Sequence, residues 1–376
     1  MNSTRINTII GISIGVLVVF SLLNIYLLQT RYTKVAEAEV IAQEIMRPAV
    51  IQIIKLTASE CEDCFDIEKA VTALKNQNVN VTEERVLDMD ATDAQELIKK
   101  YRIQKIPSLI ITGELNKSES VMNFYEKNGI VIDANTSVYS NIQPPYYDIS
   151  QGKVIGRVVF LNIIDSSCEQ CLSLEQVENA LTQAGVRVVK TAPYEYDSKD
   201  GKELIAEYGV TRIPAMLIAQ EIDVYEALKK DIQTLAGNAK NGFYAIHSQL
   251  PPYRDLQKNA VVGLVDLIEL TDKSCTACYD VKTNEQILQR FGIVLNKINE
   301  IDISAQEGQD LIAKYKITKA PLIIVSPEGA AYQSFDQVWQ SVGTVEDDGF
   351  YVMRNPQLLG TYKDLTTNKV VAAQNA

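Results

Sequence analysis

The six cysteines of the chain occur as CxxC pairs, and two thiols at this spacing can form a disulfide, bind a metal or exchange disulfides with another protein. The first cysteines follow one another at an interval of 107 residues. An interval of this length is typical of an independent domain and too long for one unit of a solenoid, so three tandem globular domains are predicted. The pairs are Cys61 and Cys64, Cys168 and Cys171, and Cys275 and Cys278.

Other residues repeat at the same interval. A tyrosine near the end of a helical pattern recurs at Tyr101, Tyr208 and Tyr315, and a proline lies 46 residues after the first cysteine of each copy. A Tyr-x-Asp turn sequence also recurs, as PPYYD at 144–148, PPYRD at 251–255 and, shifted by two residues, GTYKD at 360–364. The whole unit is therefore repeated, and not the cysteines alone.

The elements that must position the cysteines can be traced in each copy. An apolar, β-branched run precedes the CxxC, and a helical pattern follows it, with Ile67, Val71 and Leu74 on one face in the first copy. The pair therefore lies between a strand and a helix. A second strand, a second helix and an apolar strand opened by proline come next. This alternation predicts layered α/β domains with mainly parallel central strands. The first runs are AVIQIIKL (49–56), RVVFLNII (157–164) and VVGLVDLIEL (261–270).

This order of elements resembles the thioredoxin superfamily, in which a CxxC begins a helix and an Ile-Pro or Ala-Pro precedes a later strand. The likeness covers most of residues 48–340, three times over, and the array is similar in plan to protein disulfide isomerase. The resemblance implies a thiol–disulfide oxidoreductase or isomerase that acts on protein thiols and disulfides, with an unidentified redox partner. It implies no organic cofactor, because the electrons pass through the cysteines.

The resemblance also implies the roles of the site residues. Cys61, Cys168 and Cys275 would be the attacking thiols, favoured as thiolates by a helix N-terminus, and the second cysteines would resolve the mixed disulfide. The repeated proline would be cis and would shape, with the residue before it, the surface where an extended substrate segment docks. These substrate-binding residues are Ile106 and Pro107, Ile213 and Pro214, and Ala320 and Pro321.

Departures from the family pattern distinguish the three copies. Carboxylates at Glu62, Asp63 and Glu169 lie between the cysteines of the first two pairs, and a nearby carboxylate disfavours a thiolate by about 1 kcal/mol in water. The aromatic residue that usually precedes the first cysteine is absent. In its place stand Glu60, Ser167 and Ser274.

The buried acid that assists proton transfer in thioredoxins is present in one copy. Six residues before the first cysteine stand Lys55, Asn162 and Glu269, so the third copy alone has a carboxylate there. Its CxxC also has no acidic residue between the cysteines, and Cys275 and Cys278 are therefore predicted to be the most active pair. Strand alternation leaves open the alternative that Glu269 is simply exposed.

Two other functions remain open from the sequence. Acidic CxxC motifs suit disulfides that are hard to reduce, so the domains could form a binding scaffold held by structural disulfides. Zinc would need ligands from two copies, because each copy offers two sulfurs with no histidine near them. We therefore assign no metal ligands.

The N-terminus contains an apolar segment outside the repeat. Residues 8–28 carry no charge over 21 residues, enough for a transmembrane helix that anchors the domains to a membrane by a single pass. A cleaved signal peptide is the alternative, since Ala36 and Ala38 have the spacing of a cleavage site. The flanking charges do not decide the orientation, but paired cysteines suit an oxidising compartment, so extracytoplasmic domains are expected.

The composition is that of folded domains, with 46% hydrophobic and 22% charged residues. A formal net charge of −12 and the absence of a basic cluster argue against a nucleic-acid partner. The predicted organisation is an N-terminal tail (1–7), a transmembrane helix (8–28), a helical stalk (29–47) and thioredoxin-like domains at 48–148, 149–255 and 256–376.

Overall fold

The computed structural model describes residues 3–117, 119–171 and 173–373, with side chains described from residue 19 onward. It begins with a helix, α1 (Ser3–Met46), which ends immediately before Arg47 and Pro48. Residues 8–18 of the predicted membrane span have no described side chains. Over the part of the chain that is described, no helix combines the length and the apolar character needed to cross a membrane.

The chain forms two compact units, Met1–Ile155 and Gly156–Ala376. The first contains α1 and the first copy of the repeat, and the second contains the other two copies. After α1, the first copy runs through β1 (Ala49–Thr57), α2 (Ile67–Lys75), β2 (Val79–Asp88), α3 (Thr92–Tyr101), β3 (Lys105–Ile106), β4 (Ser108–Gly113), α4 (Glu119–Asn128), β5 (Gly129–Asp133), β6 (Thr136–Tyr139), β7 (Tyr146–Asp148) and β8 (Lys153–Ile155).

The second and third copies repeat this order with small changes. The second copy has β9 (Arg157–Ile164), α5 (Glu175–Gln183), β10 (Arg187–Glu195), α6 (Lys199–Tyr208), β11 (Arg212–Ile213), β12 (Ala215–Ala219), α7 (Glu226–Ala236), β13 (Phe243–His247), β14 (Tyr253–Asp255) and β15 (Ala260–Val262). The third copy has β16 (Leu264–Thr271), α8 (Thr283–Arg290), β17 (Val294–Asp302), α9 (Gln306–Tyr315), β18 (Lys319–Ala320), β19 (Leu322–Val325), α10 (Gln333–Val342), β20 (Gly343–Val345), β21 (Tyr351–Met353), β22 (Tyr362–Asp364) and β23 (Lys369–Val371).

Each copy contains a central mixed sheet and a small three-stranded sheet. The central strand orders are β2-β1-β4-β6-β5, β10-β9-β12-β13 and β17-β16-β19-β21-β20, and the small sheets are β3-β7-β8, β11-β14-β15 and β18-β22-β23. The strands β8 and β15 extend beyond the predicted domain ends at residues 148 and 255. Those domain boundaries stay predictions.

The prediction of mainly parallel central strands was wrong. In each central sheet, the strand before the CxxC is parallel to the next strand along the chain and antiparallel to the strand that follows the repeated proline. Alternation of helices and strands does not specify strand direction. The two-residue strands β3, β11 and β18 were also too short to leave a hydrophobic pattern, and they join the small sheets.

The hydrophobic core of the first copy lies between the central sheet and its helices. Ile51 and Ile53 of β1 are buried, and α2 buries Ile67, Val71 and Leu74, the three residues that the sequence placed on one helix face. This packing confirms the amphipathic prediction for α2 and holds β1 and α2 on either side of the cysteines.

The end of α1 is tied to the first copy by ion pairs. Arg47 bonds Glu44 at 2.6 Å and Glu114 at 2.8 Å, and Lys117 bonds Glu44 at 2.8 Å. Hydrogen bonds from Arg47 lower the pKa of both carboxyls to about 2, with Lys117 adding to the effect at Glu44. Both carboxylates are therefore charged at neutral pH.

Candidate thiol–disulfide site

Each CxxC forms a disulfide within a tight turn. The Cα atoms of the paired cysteines lie 5.2, 5.4 and 5.4 Å apart in the three copies. In each turn the amide of the second cysteine donates to the carbonyl of the first, at 3.3, 3.1 and 3.3 Å. The geometry suits a disulfide that opens and closes with little movement of the backbone.

The turn lies between a strand and a helix as predicted, but it precedes the helix, whereas the resemblance implied that the CxxC begins the helix. The following helices begin at Ile67, Glu175 and Thr283, three to five residues after the second cysteine. In the first copy the reason is the N-cap: the carboxylate of Asp66 accepts a hydrogen bond from the amide of Glu68. This cap fixes the helix start beyond the pair.

The two cysteines of a pair differ in exposure. The first cysteines are 7%, 8% and 9% exposed, whereas the second cysteines are half-buried. In the disulfide form, the first cysteine of each pair, which was predicted to be the attacking thiol, is therefore less exposed than the second. The assignment of attacking and resolving thiols stays a prediction.

The repeated proline is cis in every copy. The cis bonds are Ile106–Pro107, Ile213–Pro214 and Ala320–Pro321. In the third copy, the sulfur of Cys278 lies 4.0 Å from the carbonyl oxygen of Ala320, and Pro321 lines an open cleft with Cys275 and Cys278. The third copy thus brings its predicted cysteines and proline together in one solvent-facing site.

A tyrosine-rich hairpin supports both halves of the site. The two residues before each cis-proline, in β3, β11 and β18, pair with the Tyr-x-Asp strands β7, β14 and β22. In the first and third copies, the residue after the second cysteine also bonds this segment, since the amide of Phe65 donates to Pro145 at 2.8 Å and that of Tyr279 donates to Thr361 at 2.9 Å. The sequence revealed the repeated motif but gave it no role in the site.

Two features of this hairpin lay outside the sequence prediction. Pro144–Pro145 and Pro251–Pro252 are also cis. In addition, the basic residue two positions before each site proline lies over a hairpin tyrosine. The cation-to-ring distances are 4.4 Å for Lys105 and Tyr146, 4.6 Å for Arg212 and Tyr253, and 5.4 Å for Lys319 and Tyr362. The separation of 41 residues in the first two pairs, which becomes 43 in the third, could have indicated them.

Glu269 is buried, and the alternative of an exposed strand residue was wrong. It is 1% exposed in β16, and neither carboxyl oxygen accepts a hydrogen bond from a described residue. Burial raises the pKa of Glu269 to about 7, and the nearby carboxylate of Glu285 adds to the rise. The charge of Lys282 offsets part of this rise, while its ammonium pairs with Glu300 at 3.4 Å. A carboxyl that is partly protonated at neutral pH can both give and take a proton.

The other two copies hold different groups at this position. Lys55 is buried and donates to Glu68 at 2.6 Å and to Glu84 at 2.8 Å. Burial lowers the pKa of Lys55, but these two hydrogen bonds outweigh it, so the net shift is upward and the ammonium stays charged. The side-chain oxygen of Asn162 is buried without a hydrogen-bond partner among the described residues.

Residues 32–135 match the thioredoxin family. The chain therefore contains a region similar to thioredoxin, which includes most of the first copy of the repeat. The recurrence of the same strand order, CxxC turn and cis-proline shows that it contains several tandem thioredoxin-like domains. No curated protein matches the chain.

Several solved structures are similar to parts of this thioredoxin-like chain. The NTD_N/C domain of alkylhydroperoxide reductase AhpF from Enterococcus faecalis is 19% identical, with coverage of 46% of this chain and 83% of that one and a TM-score of 0.14. ERdj5 form I is 12% identical over 84% of this chain and 40% of its own, with a TM-score of 0.16. Human ERp44 form II is 14% identical over 75% and 77%, with a TM-score of 0.14. Scores this low support no conclusion about domain arrangement or function.

Proposed function

We propose that this chain is a thiol–disulfide oxidoreductase that exchanges disulfides with protein thiols, and that the third domain carries its most reactive site. The observation that carries the proposal is the cleft in which Cys275, Cys278 and Pro321 meet. An extended substrate segment docked along the cis-proline would place its sulfur beside the pair. The buried carboxyl of Glu269 in the preceding strand supports the choice of this domain.

Two substrate thiols are oxidised for each Cys275–Cys278 disulfide that is reduced. A substrate thiolate attacks one sulfur of the Cys275–Cys278 disulfide, forming a mixed disulfide, and the other sulfur leaves as a thiolate that takes up a proton. A second substrate thiolate then attacks the mixed disulfide. The substrate leaves oxidised, the pair becomes a dithiol, and the reverse sequence reduces a substrate disulfide. Glu269, with a pKa of about 7, is the proposed proton donor and acceptor in these steps.

We propose further that the N-terminal helix anchors these domains to a membrane and that they act outside the cytoplasm. The support is the uncharged sequence at 8–28 and the even, paired use of cysteine. The test is alkaline extraction of membranes that contain the full chain, followed by protease protection. Release of the chain by alkaline carbonate would contradict the anchor, and protection of the domains inside sealed cells after outer-surface proteolysis would contradict their location.

A scaffold held by structural disulfides is the second candidate. It is favoured by the burial of the first cysteines and by the acidic residues at Glu62, Asp63 and Glu169. Both features make a disulfide harder to reduce. The two candidates therefore differ in the reduction potential that they require.

The deciding experiment uses three variants of the full chain, each with one CxxC intact and the other cysteines changed to Ser. Redox titration gives the midpoint of each remaining pair, and turnover on insulin disulfides gives its activity. The proposal expects turnover from the Cys275–Cys278 variant and a midpoint above about −300 mV. Midpoints below that value for every pair, with no turnover, would establish the scaffold instead. With exchange shown, C278S is expected to trap a mixed disulfide at Cys275 and C275S is not.

A further inference from the structure

A buried aspartate directly before the CxxC of the third domain forms an ion pair with a half-buried lysine of the hairpin. Asp272, three residues before Cys275, is buried, and its Oδ2 lies 3.0 Å from the ammonium of Lys363 in the hairpin strand β22. Its Oδ1 accepts from the amide of Ser274 at 2.9 Å and from the hydroxyl at 2.5 Å. Lys363 also donates to the Ser274 hydroxyl at 3.0 Å, which closes a three-residue network.

This network is attached to the cysteine through the backbone. The amide of Cys275 donates to the carbonyl of Asp272 at 3.0 Å, so the ion pair and the cysteine share one turn. The hairpin cation is therefore held by Asp272 and by Ser274, the residue that immediately precedes Cys275.

The second domain contains the same network with arginine as the cation. The guanidinium of Arg254 lies 2.5 Å from Asp165, and it also donates to the hydroxyl of Ser167 at 3.3 Å. Asp165 accepts from the amide of Ser167 at 3.0 Å and from the hydroxyl at 2.5 Å. The amide of Cys168 donates to the carbonyl of Asp165 at 3.1 Å. The second and third copies of the repeat therefore share this arrangement, although the cation differs.

The first domain lacks the network. Ala58 stands three residues before Cys61, Glu60 replaces the serine, and Tyr147 stands at the hairpin position of the cation. The first domain is therefore an internal reference within the same chain.

The ion pair is charged in the folded protein. Burial alone would raise the pKa of Asp272, but hydrogen bonds from Ser274 and Lys363 outweigh it and the net shift is downward. The same balance, with Ser167 and Arg254, lowers the pKa of Asp165. A buried anion and a half-buried cation thus oppose each other in the turn that leads to each first cysteine.

We propose that Asp272 and Lys363 are positioning residues that set the reactivity of Cys275 from opposite directions, and that Asp165 and Arg254 do the same for Cys168. The aspartate disfavours a thiolate on the neighbouring cysteine, and the hairpin cation favours it. In the native pair the two effects nearly cancel. The functional role of this ion pair rests on the proposed exchange activity, but the experiment measures the reactivity of the Cys275 thiol directly.

Other charges around Cys275 are the same in every variant tested. Asp280 and Lys282 follow Cys278 along the chain, Glu300 lies on β17, and all three line the cleft. Glu269 is buried in β16. Changes at Asp272 or Lys363 leave these groups in place, so a shift between variants reports the ion pair.

The experiment measures the rate at which iodoacetamide alkylates Cys275 in the reduced full chain from pH 5 to pH 9, with each cysteine followed by peptide mass spectrometry. D272N leaves the cation unopposed and is expected to lower the apparent pKa of the Cys275 thiol, whereas K363M is expected to raise it. Each change should alter the alkylation rate at pH 7 by about threefold or more, in opposite directions. The double variant D272N/K363M should return close to the wild-type profile, and K363R should keep it.

Opposite shifts are a result that a purely structural role does not give, because loss of packing would affect both single variants in the same direction. Shifts of the same sign, or no shift in either variant, would overturn the proposal. K369M, at an exposed lysine on the neighbouring strand β23, is the matched control, and the Cys61 profile is the reference within the chain. Turnover is measured in parallel: its absence in the wild type would count against the exchange function, while the alkylation profiles alone decide the role of the ion pair.

Discussion

Lys55 and Glu269 occupy equivalent positions in β1 and β16, six residues before the first cysteine, and both are buried with opposite charges. Thirteen residues further along, the charges are again reversed, at Glu68 and Lys282. The first domain forms the ion pair, with Lys55 2.6 Å from Glu68, whereas Lys282 pairs with Glu300 and Glu269 has no hydrogen-bond partner among the described residues. One buried position therefore holds a paired ammonium in one domain and an unpaired carboxyl in another.

Glu269 should make the stability of the third domain fall with rising pH. Its folded pKa of about 7 lies above the unfolded value of about 4.3, so the unfolded state ionises first as the pH rises through this interval. The associated loss of unfolding free energy is on the order of 3 kcal/mol between pH 4 and pH 8. E269Q should remove this dependence. Urea unfolding followed by Trp339 fluorescence reports on the third domain, because Trp339 is the only tryptophan of the chain. Parallel pH profiles for E269Q and the wild type would contradict the prediction.

Exchange of the two charges in the Lys55–Glu68 ion pair should restore much of the stability that is lost when Lys55 alone is changed. K55E places a third carboxylate beside Glu68 and Glu84 and should destabilise the first domain by about 2 kcal/mol or more. K55E/E68K restores an opposite pair with the polarity of the third domain and should recover at least half of the loss. Hydrogen exchange of the β1 amides measures the effect, with K69E at an exposed neighbour as the control. A double variant no more stable than K55E would refute the pairing.

The same chemical change should have different effects at two buried tyrosines. The hydroxyl of Tyr332 accepts from the amide of Val294 at 3.0 Å and donates to the carbonyl of Gly263 at 2.6 Å. Y332F should cost about 1–3 kcal/mol, because both backbone groups lose their partner. The hydroxyl of Tyr125 has no hydrogen-bond partner among the described residues, so Y125F should cost almost nothing. Unfolding of the third domain followed by Trp339 measures Y332F, and hydrogen exchange in α4 measures Y125F. Equal losses at the two sites would show that the hydrogen bonds of Tyr332 contribute little.

Asp63 should lower the midpoint potential of the Cys61–Cys64 disulfide. Its carboxylate lies 4.0 Å from the sulfur of Cys61, where a unit charge opposes a thiolate by about 1 kcal/mol in water. D63N should therefore raise the midpoint potential of the Cys61–Cys64 pair by about 20 mV. E62Q is the control, since Glu62 is exposed on the same turn. A shift as large for E62Q as for D63N would mean that general surface charge, and not the contact with Cys61, sets the potential.

The helix α2 shows which features of the site could be predicted from the sequence and which could not. The apolar spacing in α2 correctly identified Ile67, Val71 and Leu74 as its buried face, because side-chain burial along a helix follows a local period. The position of the cysteines relative to that helix could not be obtained in this way. The N-cap interaction of Asp66 decides where α2 begins, and the spacing of apolar residues does not register it.

The sequence by itself determined the threefold repeat, the pairing of all cysteines into CxxC motifs and the proline that follows each pair at a constant interval. These are properties of residue type and spacing along the chain. The tertiary structure decided the direction of the central strands, the burial of Glu269 and the contact of each hairpin with its site. It also decided that Lys363 meets Asp272 from a distance of 91 residues. Burial and charge depend on which elements pack together, and local periodicity carries no information about partners so far apart in the chain.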